Sequence, residues 1–596
     1  MLQASSLFVH HHAPCEGISA LGRAWSWRND DAALVADMVR YLQIPELLAA
    51  LLAGRGQNLD SALDYLTPSL KHALPDPLHL HDMEKAVTRL IHAIESNERI
   101  VIFGDYDVDG ATSTALMIHY LRAVGADVGY YIPDRHTEGY GPNSAALLKL
   151  KEEGTSLVVT VDCGAVSFAP LADAHAAGLD VIVVDHHKGA AELPKAVAVV
   201  NPNRLDEMSN YRHCAAVGVV FLLLIALNAR LRTMGYFSTR SEPNLMQWLD
   251  LVAIGTICDV VSLTTLNRAY AAQGLRVASY RRNMGLTALL DHAGVHGEIT
   301  AYHAGFVIGP RINAGGRVGA SDLGVRLLTS ENPKECAEIA AQLGLYNQER
   351  QAIEQTVLDA ALAEAEKQVN APMMCVAGDG WHAGVIGIVA SRLKDRYDRP
   401  AIVIAFEGEK GKASARSVAG IDIGVAIVRA REEGIILEGG GHSMAGGFSL
   451  TRAQYDEAVA FFHHYCEAPM RAYVEHRTLK LDSAITCAMV NANTIAQLER
   501  AAPFGAGNPS GMFMLRNVRV LSVDALKEQH LRVLVTDVTG ARVKAMCFRA
   551  IGTALGDMLL GSRGKTIHLA GNLKSDVWQG RTQVTFMIHD AMQEGV

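Results

Sequence analysis

Three aspartates alternate along Asp105-Tyr-Asp107-Val-Asp109-Gly110, directly after the apolar run Ile100-Val-Ile-Phe103. If the backbone stayed extended, alternation would point the three carboxylates to one side. That much uncompensated charge beside a hydrophobic strand costs several kcal/mol per ion. Divalent cations are the natural compensation, and an Asp-rich turn is the plainer alternative for this segment taken alone. Other segments repeat the pattern. Leu157-Val-Val-Thr-Val161 ends in Asp162-Cys-Gly164, Val181-Ile-Val-Val184 ends in Asp185-His186-His187, and the apolar stretch from Leu249 to Cys258 is followed by Asp259. Carboxylates with imidazole suit a mid-first-row ion such as Mn²⁺, while Mg²⁺ prefers oxygen and water and would fit less comfortably. Six acids exceed the needs of one ion. Two ions about 3.5–4 Å apart would fit, the arrangement that clamps attacking and leaving oxygens in phosphoryl displacement. This chemistry assigns Asp107, Asp109, Asp162, His186 and Asp259 as metal ligands. Asp185 would orient an imidazole from behind, His187 would face the scissile phosphate as a donor, and Asp105 completes the catalytic group.

The elements that must position these side chains are short, β-branched runs separated by helical-looking segments, the pattern of parallel strands in βαβ units. Open α/β sheets bind ligands outside the carboxyl ends of their strands, so three strands would deliver acids and imidazoles to one edge. The alternation dominates from 79 to 330, after a mostly helical N-terminal extension over 1–78. His10-His11-His12 in that extension reads as a metal-binding tract or a disordered end. Asn332-Pro333-Lys-Glu335 has the N-cap, N1 proline and N3 glutamate of a helix start. The Ala/Glu/Gln-rich stretch after it, spanning 331–370, would be roughly 50 Å long as a helix, suited to bridging two lobes. A second α/β lobe is expected over 371–470, with strands at Met374-Cys-Val-Ala377 and Ala401–Phe406. Over 471–596 short alternating segments such as Leu531–Val535 and Arg542–Met546, divided by turns at Thr539-Gly540 and Gln579-Gly580, predict a small β-barrel. Arg542 and Lys544 would share one face near Phe548 and Trp578. That face suits single-strand binding by an OB-like fold or is a solvated sheet face. The fold class is α/β: two α/β lobes joined by a long helix around a central cleft, plus a C-terminal OB-like barrel.

At 596 residues the chain exceeds one hydrophobic core. Nothing resembles a basic n-region followed by an apolar h-region. The greasiest stretch, Ala215–Leu227, is too short to cross a bilayer and reads as a buried helix. Nine scattered cysteines without CxxC spacing argue for a reducing compartment and against a disulfide or zinc framework. A cytoplasmic monomer without a membrane segment is expected. The net charge of −9 is unevenly divided: from Arg471 onward 15 Lys/Arg face 10 Asp/Glu, against 39 and 53 before it. Bound cations would reverse the local sign of the acidic part.

Phosphate-binding candidates lie downstream. Arg311, Asn313 and Arg317 sit in the Gly-rich segment Gly309–Gly319. Lys412-Ala-Ser414-Ala-Arg416-Ser417 offers hydroxyls and a guanidinium after a strand, and Gly439-Gly-Gly-His442 could present backbone N–H groups to an anion.

Together these residues resemble the DHH phosphoesterase superfamily, specifically its RecJ-type single-strand-specific exonucleases. Asp105–Gly110, Asp162–Gly164, Asp185–His187 and Gly255-Thr-Ile-Cys-Asp259 are similar to its first four motifs. Pro133-Asp-Arg-His-Thr-Glu-Gly-Tyr-Gly141, which contributes Arg135 to substrate binding, is similar to the segment after the family's second strand. Trp381-His382-Ala-Gly-Val-Ile-Gly387, Ser414–Ser417 and Gly440-Gly-His442 resemble the companion DHHA1 domain, and Pro503–Pro509 resembles the entry to a C-terminal OB domain. Ala415 stands where the family usually has glycine, and Gly315–Gly319 differs in detail. Both bear on substrate geometry rather than on the metal ligands. The resemblance implies 5′→3′ degradation of single-stranded DNA to 5′-mononucleotides in recombination and repair, with Mn²⁺ or Mg²⁺. Ser414, Arg416 and Arg311 would hold the 5′ terminus, assisted by Asn313, Arg317, His382, Ser417 and His442. It also implies single-strand-binding protein and a RecQ-type helicase as partners. Two rivals stand beside it: a DHH phosphodiesterase acting on short oligonucleotides or cyclic dinucleotides, and a non-catalytic replication scaffold of the same fold.

Overall fold

The computed structural model describes residues 17–593 except His136, Gln579 and Gly580; for Asp576–Trp578, Arg581 and Thr582 it describes the backbone alone. His10–His12, the Gln579-Gly580 turn and the Trp578 side chain therefore lie outside the described residues.

The first lobe is built on five parallel strands in the spatial order Val128–Tyr131, Ile100–Gly104, Leu157–Val161, Asp180–Val184, Ala198–Val200. Its central strands are buried on both faces, which explains their nearly continuous apolar sequence. Ile100, Ile102, Leu157 and Val159 face the helices Met83–Glu95, Val108–Ala123 and Ala216–Thr233. Val101, Phe103, Val158 and Val181 face Ser144–Glu152 and Phe168–Ala176. The first of these five strands in chain order, Ile100–Gly104, lies between the second and third, so the strand order reverses beside it. Such a switch point opens a crevice at the carboxyl ends of the two flanking strands. Asp105 and Asp162 leave the sheet there.

The Pro333–Ala365 helix is capped by Asn332, whose side chain accepts from the Lys334 and Glu335 amides. Its 33 residues span about 50 Å. Cys336, Ile339 and Leu343 pack into the first lobe's core, and Val357, Ala361 and Ala365 into the second lobe. That lobe holds a mixed sheet in the order Glu438–His442, Ala445–Thr451, Lys410–Arg416, Ala401–Glu407, Met374–Asp379.

At the C-terminus the strands Phe513–Leu526, His530–Thr536, Arg542–Cys547, Arg581–Gln593 and Thr566–Trp578 pair in that order and close through Phe513–Leu526 against Thr566–Trp578, giving a five-stranded barrel. Its core includes Val35, Met38 and Leu47–Ala53 from the N-terminal helices. The N-terminal extension also carries a strand that its helical pattern concealed: Ala24–Trp27 pairs in parallel with Thr478–Leu481. Arg268 joins the pieces. It is 2% exposed, stacks 3.8 Å from the Tyr65 ring centroid, and donates to the carbonyls of Tyr65, Ala501, Ala502 and Pro503. Among the described residues one helix, Ala216–Thr233, is long and apolar enough to cross a membrane, and 72% of it is buried inside the protein.

Candidate active site

The helix Val108–Ala123 begins within the first acidic segment, so strand alternation is not what gathers its acids. Asp105 leaves the strand end. Asp107 is the N-cap, accepting from the Gly110 amide at 3.1 Å. Asp109 lies in the first turn and accepts from the Ala216 and Val217 amides at 2.6 and 2.9 Å, the N-terminus of a second helix. Glycine is required at 110, because a Cβ there would sit 2.4 Å from the Asp105 carbonyl oxygen. Asp162 has φ = 60°, the left-handed region, at the end of its strand. Asp259 caps the helix Leu249–Cys258.

The four segments meet. Asp109, His186 and Asp259 present ligand atoms within 4.8 Å of one another; so do Asp105, Asp107 and Asp162, and also Asp162, His186 and His187. Asp162 links these groups: its Oδ1 is 3.3 Å from His186 Nε2 and 3.9 Å from His187 Nδ1. His186 Nε2 is 3.9 Å from Asp109 and 3.7 Å from Asp259. Asp185 stands behind them, accepting from the Ala165, His186 and His187 amides and, at 2.7 Å, from His187 Nδ1.

Charge distinguishes the members. Burial, then Asp107, raises Asp105 far above the carboxylate range and brings Asp109 to about 7. Burial and Asp109 likewise raise Asp162 strongly and bring Asp259 to about 9. Burial would raise Asp185 too, but the His187 hydrogen bond and charge hold it at about 2. His187 goes the other way, lifted to about 9 against burial by Asp185. Burial and then His187 depress His186 to about 4. Among the described residues no lysine or arginine forms an ion pair with Asp105, Asp107, Asp109, Asp162 or Asp259. Asp105 Oδ1, Asp259 Oδ2 and His186 Nε2 are buried without hydrogen-bond partners. Orphaned oxygens and an imidazole nitrogen, turned toward one another, are the donor set for divalent cations such as Mn²⁺.

The downstream candidates divide. Gly309–Val318 is helix rather than a glycine-rich loop; its small residues let it pack closely, with Gly316 against Tyr106. Arg317 leaves its end, donates to the Gly384 carbonyl of the other lobe at 2.7 Å, and is lowered to about 10 by burial, Arg135 and Arg350. Arg135 itself lies over the Tyr106 ring at 5.2 Å. Arg311 donates to the Val307 carbonyl, while its Nε and Asn313 Oδ1 are buried without partners. Ser414 and Arg416 follow the strand Ala401–Glu407, themselves inside the next strand, Lys410–Arg416, with Arg416 donating to Ser414 Oγ at 3.2 Å. They reach the start of the Ile386–Tyr397 helix, where a Cβ on Gly387 would meet Ser414 Oγ at 3.0 Å and the Arg416 guanidinium at 3.1 Å. A cleft of about 210 Å³ between the lobes is lined by Arg317, Arg392, Arg416 and Ser391. His382 Nδ1 accepts from the Gly384 amide beside it. Gly439–Gly441 belong to an edge strand paired with Ala445–Thr451, which places His442 near Lys188 and His187. Ser417 is turned into the core and donates to the Ile421 carbonyl.

Four residues near these sites escaped the sequence reading. Tyr140 donates to the Asp162 carbonyl at 2.9 Å and meets the His187 ring edge-on. Arg350, Glu354 and Arg392 form a chain of ion pairs at the inter-lobe cleft, 2.6 Å and 3.4 Å long. Arg350 and Glu354 look like an ordinary i,i+4 surface pair in sequence, and the burial that makes them unusual is tertiary.

A parallel sheet whose switch point gathers these acids around Asp-His-His, joined to a second arginine-bearing lobe, defines a DHH-type phosphoesterase. The DHH family N-terminal domain model matches residues 99–256, the DHHA1 domain model 368–468, and the RecJ OB domain model 481–590. The single-stranded-DNA-specific exonuclease RecJ of Bacillus subtilis is 33% identical over 95% of this chain and 70% of its own length. That of Escherichia coli is 36% identical over 84% and 88%. The crystal structure of RecJ in complex with Mn²⁺ from Thermus thermophilus superposes with a TM-score of 0.76 at 29% identity, covering 95% of this chain and 78% of that one. The chain belongs to the RecJ family: it is a metal-dependent, single-stranded-DNA-specific exonuclease.

Proposed function

We propose that the enzyme cuts from the 5′ end and releases 5′-mononucleotides, with two divalent cations, Mn²⁺ before Mg²⁺, held by Asp107, Asp109, Asp162, His186 and Asp259. What supports two cations rather than one is that the acids form two groups joined through Asp162, with Asp105 and Asp107 on one side and Asp109, His186 and Asp259 on the other. Bound cations supply the positive charge that lets these carboxylates ionise together, activate water, and offset charge developing on the phosphate. The remaining work falls to the chain's own groups. Asp185 holds His187 as the imidazolium, raised to about 9, so that with Nδ1–H bound to Asp185 the opposite ring nitrogen still carries a proton to donate to a phosphate oxygen. Arg317, Arg416 and Ser414 receive the terminal phosphate, with guanidinium forks suited to its oxygens, and Arg135 and Arg311 steady the phosphates between that cleft and the cations. The barrel holds the following single strand on its Arg542 and Lys544 face. The enzyme works as a cytoplasmic monomer in recombination and repair, alongside single-strand-binding protein and a RecQ-type helicase.

Single strands labelled at one end or the other, digested with Mn²⁺, Mg²⁺ or chelator, test this reading. The 5′ label should leave first, as a mononucleotide, and only with metal. Early release of the 3′ label would overturn the polarity and the role given to the arginine cleft.

A further inference from the structure

The segment before Arg311 carries an aromatic pair that core packing does not explain. Tyr302 and Phe306 are 59% and 70% exposed, yet their rings stack on each other, 5.2 Å between centroids at 24°. His303 meets Tyr302 edge-on at 6.0 Å. Single exposed apolar side chains are ordinary; two large rings held face to face in water are a prepared surface. The backbone beneath them is a π-type turn, Ala304–Ile308, a form that recurs at functional sites.

The other side of this turn is anchored to the active centre. Ala304 and Ile308 are buried, the Cys258 thiol reaches the Ala304 carbonyl at 3.3 Å, and Gly305 lies against Ile257. Asp259, a candidate metal ligand, follows Cys258 directly. On the C-terminal side Arg311 folds back onto the Val307 carbonyl, with no carboxylate paired to it among the described residues. The turn that carries the rings thus lies between Arg311 on its C-terminal side and, through Cys258, the segment that ends in Asp259.

We propose that Tyr302 and Phe306 form a base-stacking platform for one nucleotide of the DNA strand beside the scissile phosphate, with Arg311 on the adjoining phosphate. The platform rests on the reading that the strand passes between the acid cluster and the arginine cleft. Every base has a π-face, so the platform accepts any sequence, as an exonuclease requires. It also favours a strand whose bases are already unpaired.

The test uses the full chain without metal, so that the DNA stays intact. A 12-nucleotide single strand carries the fluorescent base 2-aminopurine at each position in turn. Binding should quench one position strongly. The Tyr302→Ala/Phe306→Ala variant should lose that quench and bind about tenfold more weakly, with an unchanged melting temperature because both side chains are exposed. Removing the base at the quenched position should cost the native protein the same factor and the variant nothing, whereas Phe306→Tyr should keep the quench. The proposal is overturned if no position is quenched, if the two losses simply multiply, or if the variant binds normally, which would assign the rings to a protein partner. Failure of the native protein to cut DNA with Mn²⁺ while the quench persists would count against the cleavage reading and for the platform.

Discussion

Two clusters of like charge face the same cleft, and they are built in opposite ways. The clustered acids of the first lobe sit at strand and helix ends, Asp107 and Asp109 held by backbone amides, and among the described residues none of Asp105, Asp107, Asp109, Asp162 and Asp259 pairs with a lysine or arginine. Their repulsion is left for mobile cations to relieve. The arginines between the lobes are held by protein groups: Arg317 by the Gly384 carbonyl, Arg416 by Ser414, Arg350 and Arg392 by the single carboxylate of Glu354. One cluster is incomplete until ions arrive. The other is already assembled and, in the function proposed above, receives an anion. Catalysis needs ions that can bear changing charge, whereas recognition of a phosphate needs donors fixed before it binds.

If the acid cluster is the incomplete one, its central member should matter most. Asp162→Ala should lower the rate of single-strand digestion at least about 10³-fold, several kcal/mol of charge stabilisation, measured with saturating Mn²⁺; retention of a tenth of the activity would break the contrast. Glu354→Ala tests the assembled cluster. It leaves Arg350 buried without a carboxylate, so it should destabilise the protein by about 3 kcal/mol in chemical denaturation and raise KM more than it lowers kcat. A purely structural role would change stability and leave the KM-to-kcat balance alone. Mn²⁺ at a hundredfold excess over its Kd should stabilise the native protein by about 2.7 kcal/mol for each ion bound, seen as a raised melting temperature. Asp162→Asn should lose most of that gain and melt higher than the native protein when metal is absent. The smallest effect is expected for Arg416→Lys, which keeps the charge and loses the planar fork: about tenfold in KM for a 5′-phosphorylated strand, and little for a strand ending in a 5′ hydroxyl.

The acid cluster was legible in sequence because its logic is local. Asp105, Asp162 and Asp185 each follow a buried β-branched run, and parallel strands end at a common edge, so the three could be placed together before any coordinates. Even there the route differed, since Asp107 and Asp109 come together through an N-cap and a first helical turn. The arginine cluster was less legible. The glycines of 309–319 marked a phosphate-binding candidate without showing that they serve close packing of a helix, and a residue such as Ser417 has the right chemistry but faces the core. Glu354 and Arg350 give no local sign of burial. The strand Ala24–Trp27 was hidden because its partner, Thr478–Leu481, lies at the far end of the chain, beyond the reach of any local pattern.

Arg268 carries a consequence for how the enzyme measures DNA. Its guanidinium is satisfied by carbonyls from two distant parts of the chain, Tyr65 and Ala501–Pro503, and prising the barrel from the nuclease lobe would strand that cation in an apolar gap. The barrel is therefore no hinged jaw but a fixed post, at a constant separation from the place where the backbone is severed. With the strand held on the barrel as proposed, that separation is a ruler: oligonucleotides too short to span it should bind without the barrel's help, and affinity should step upward once the chain of nucleotides is long enough to touch both.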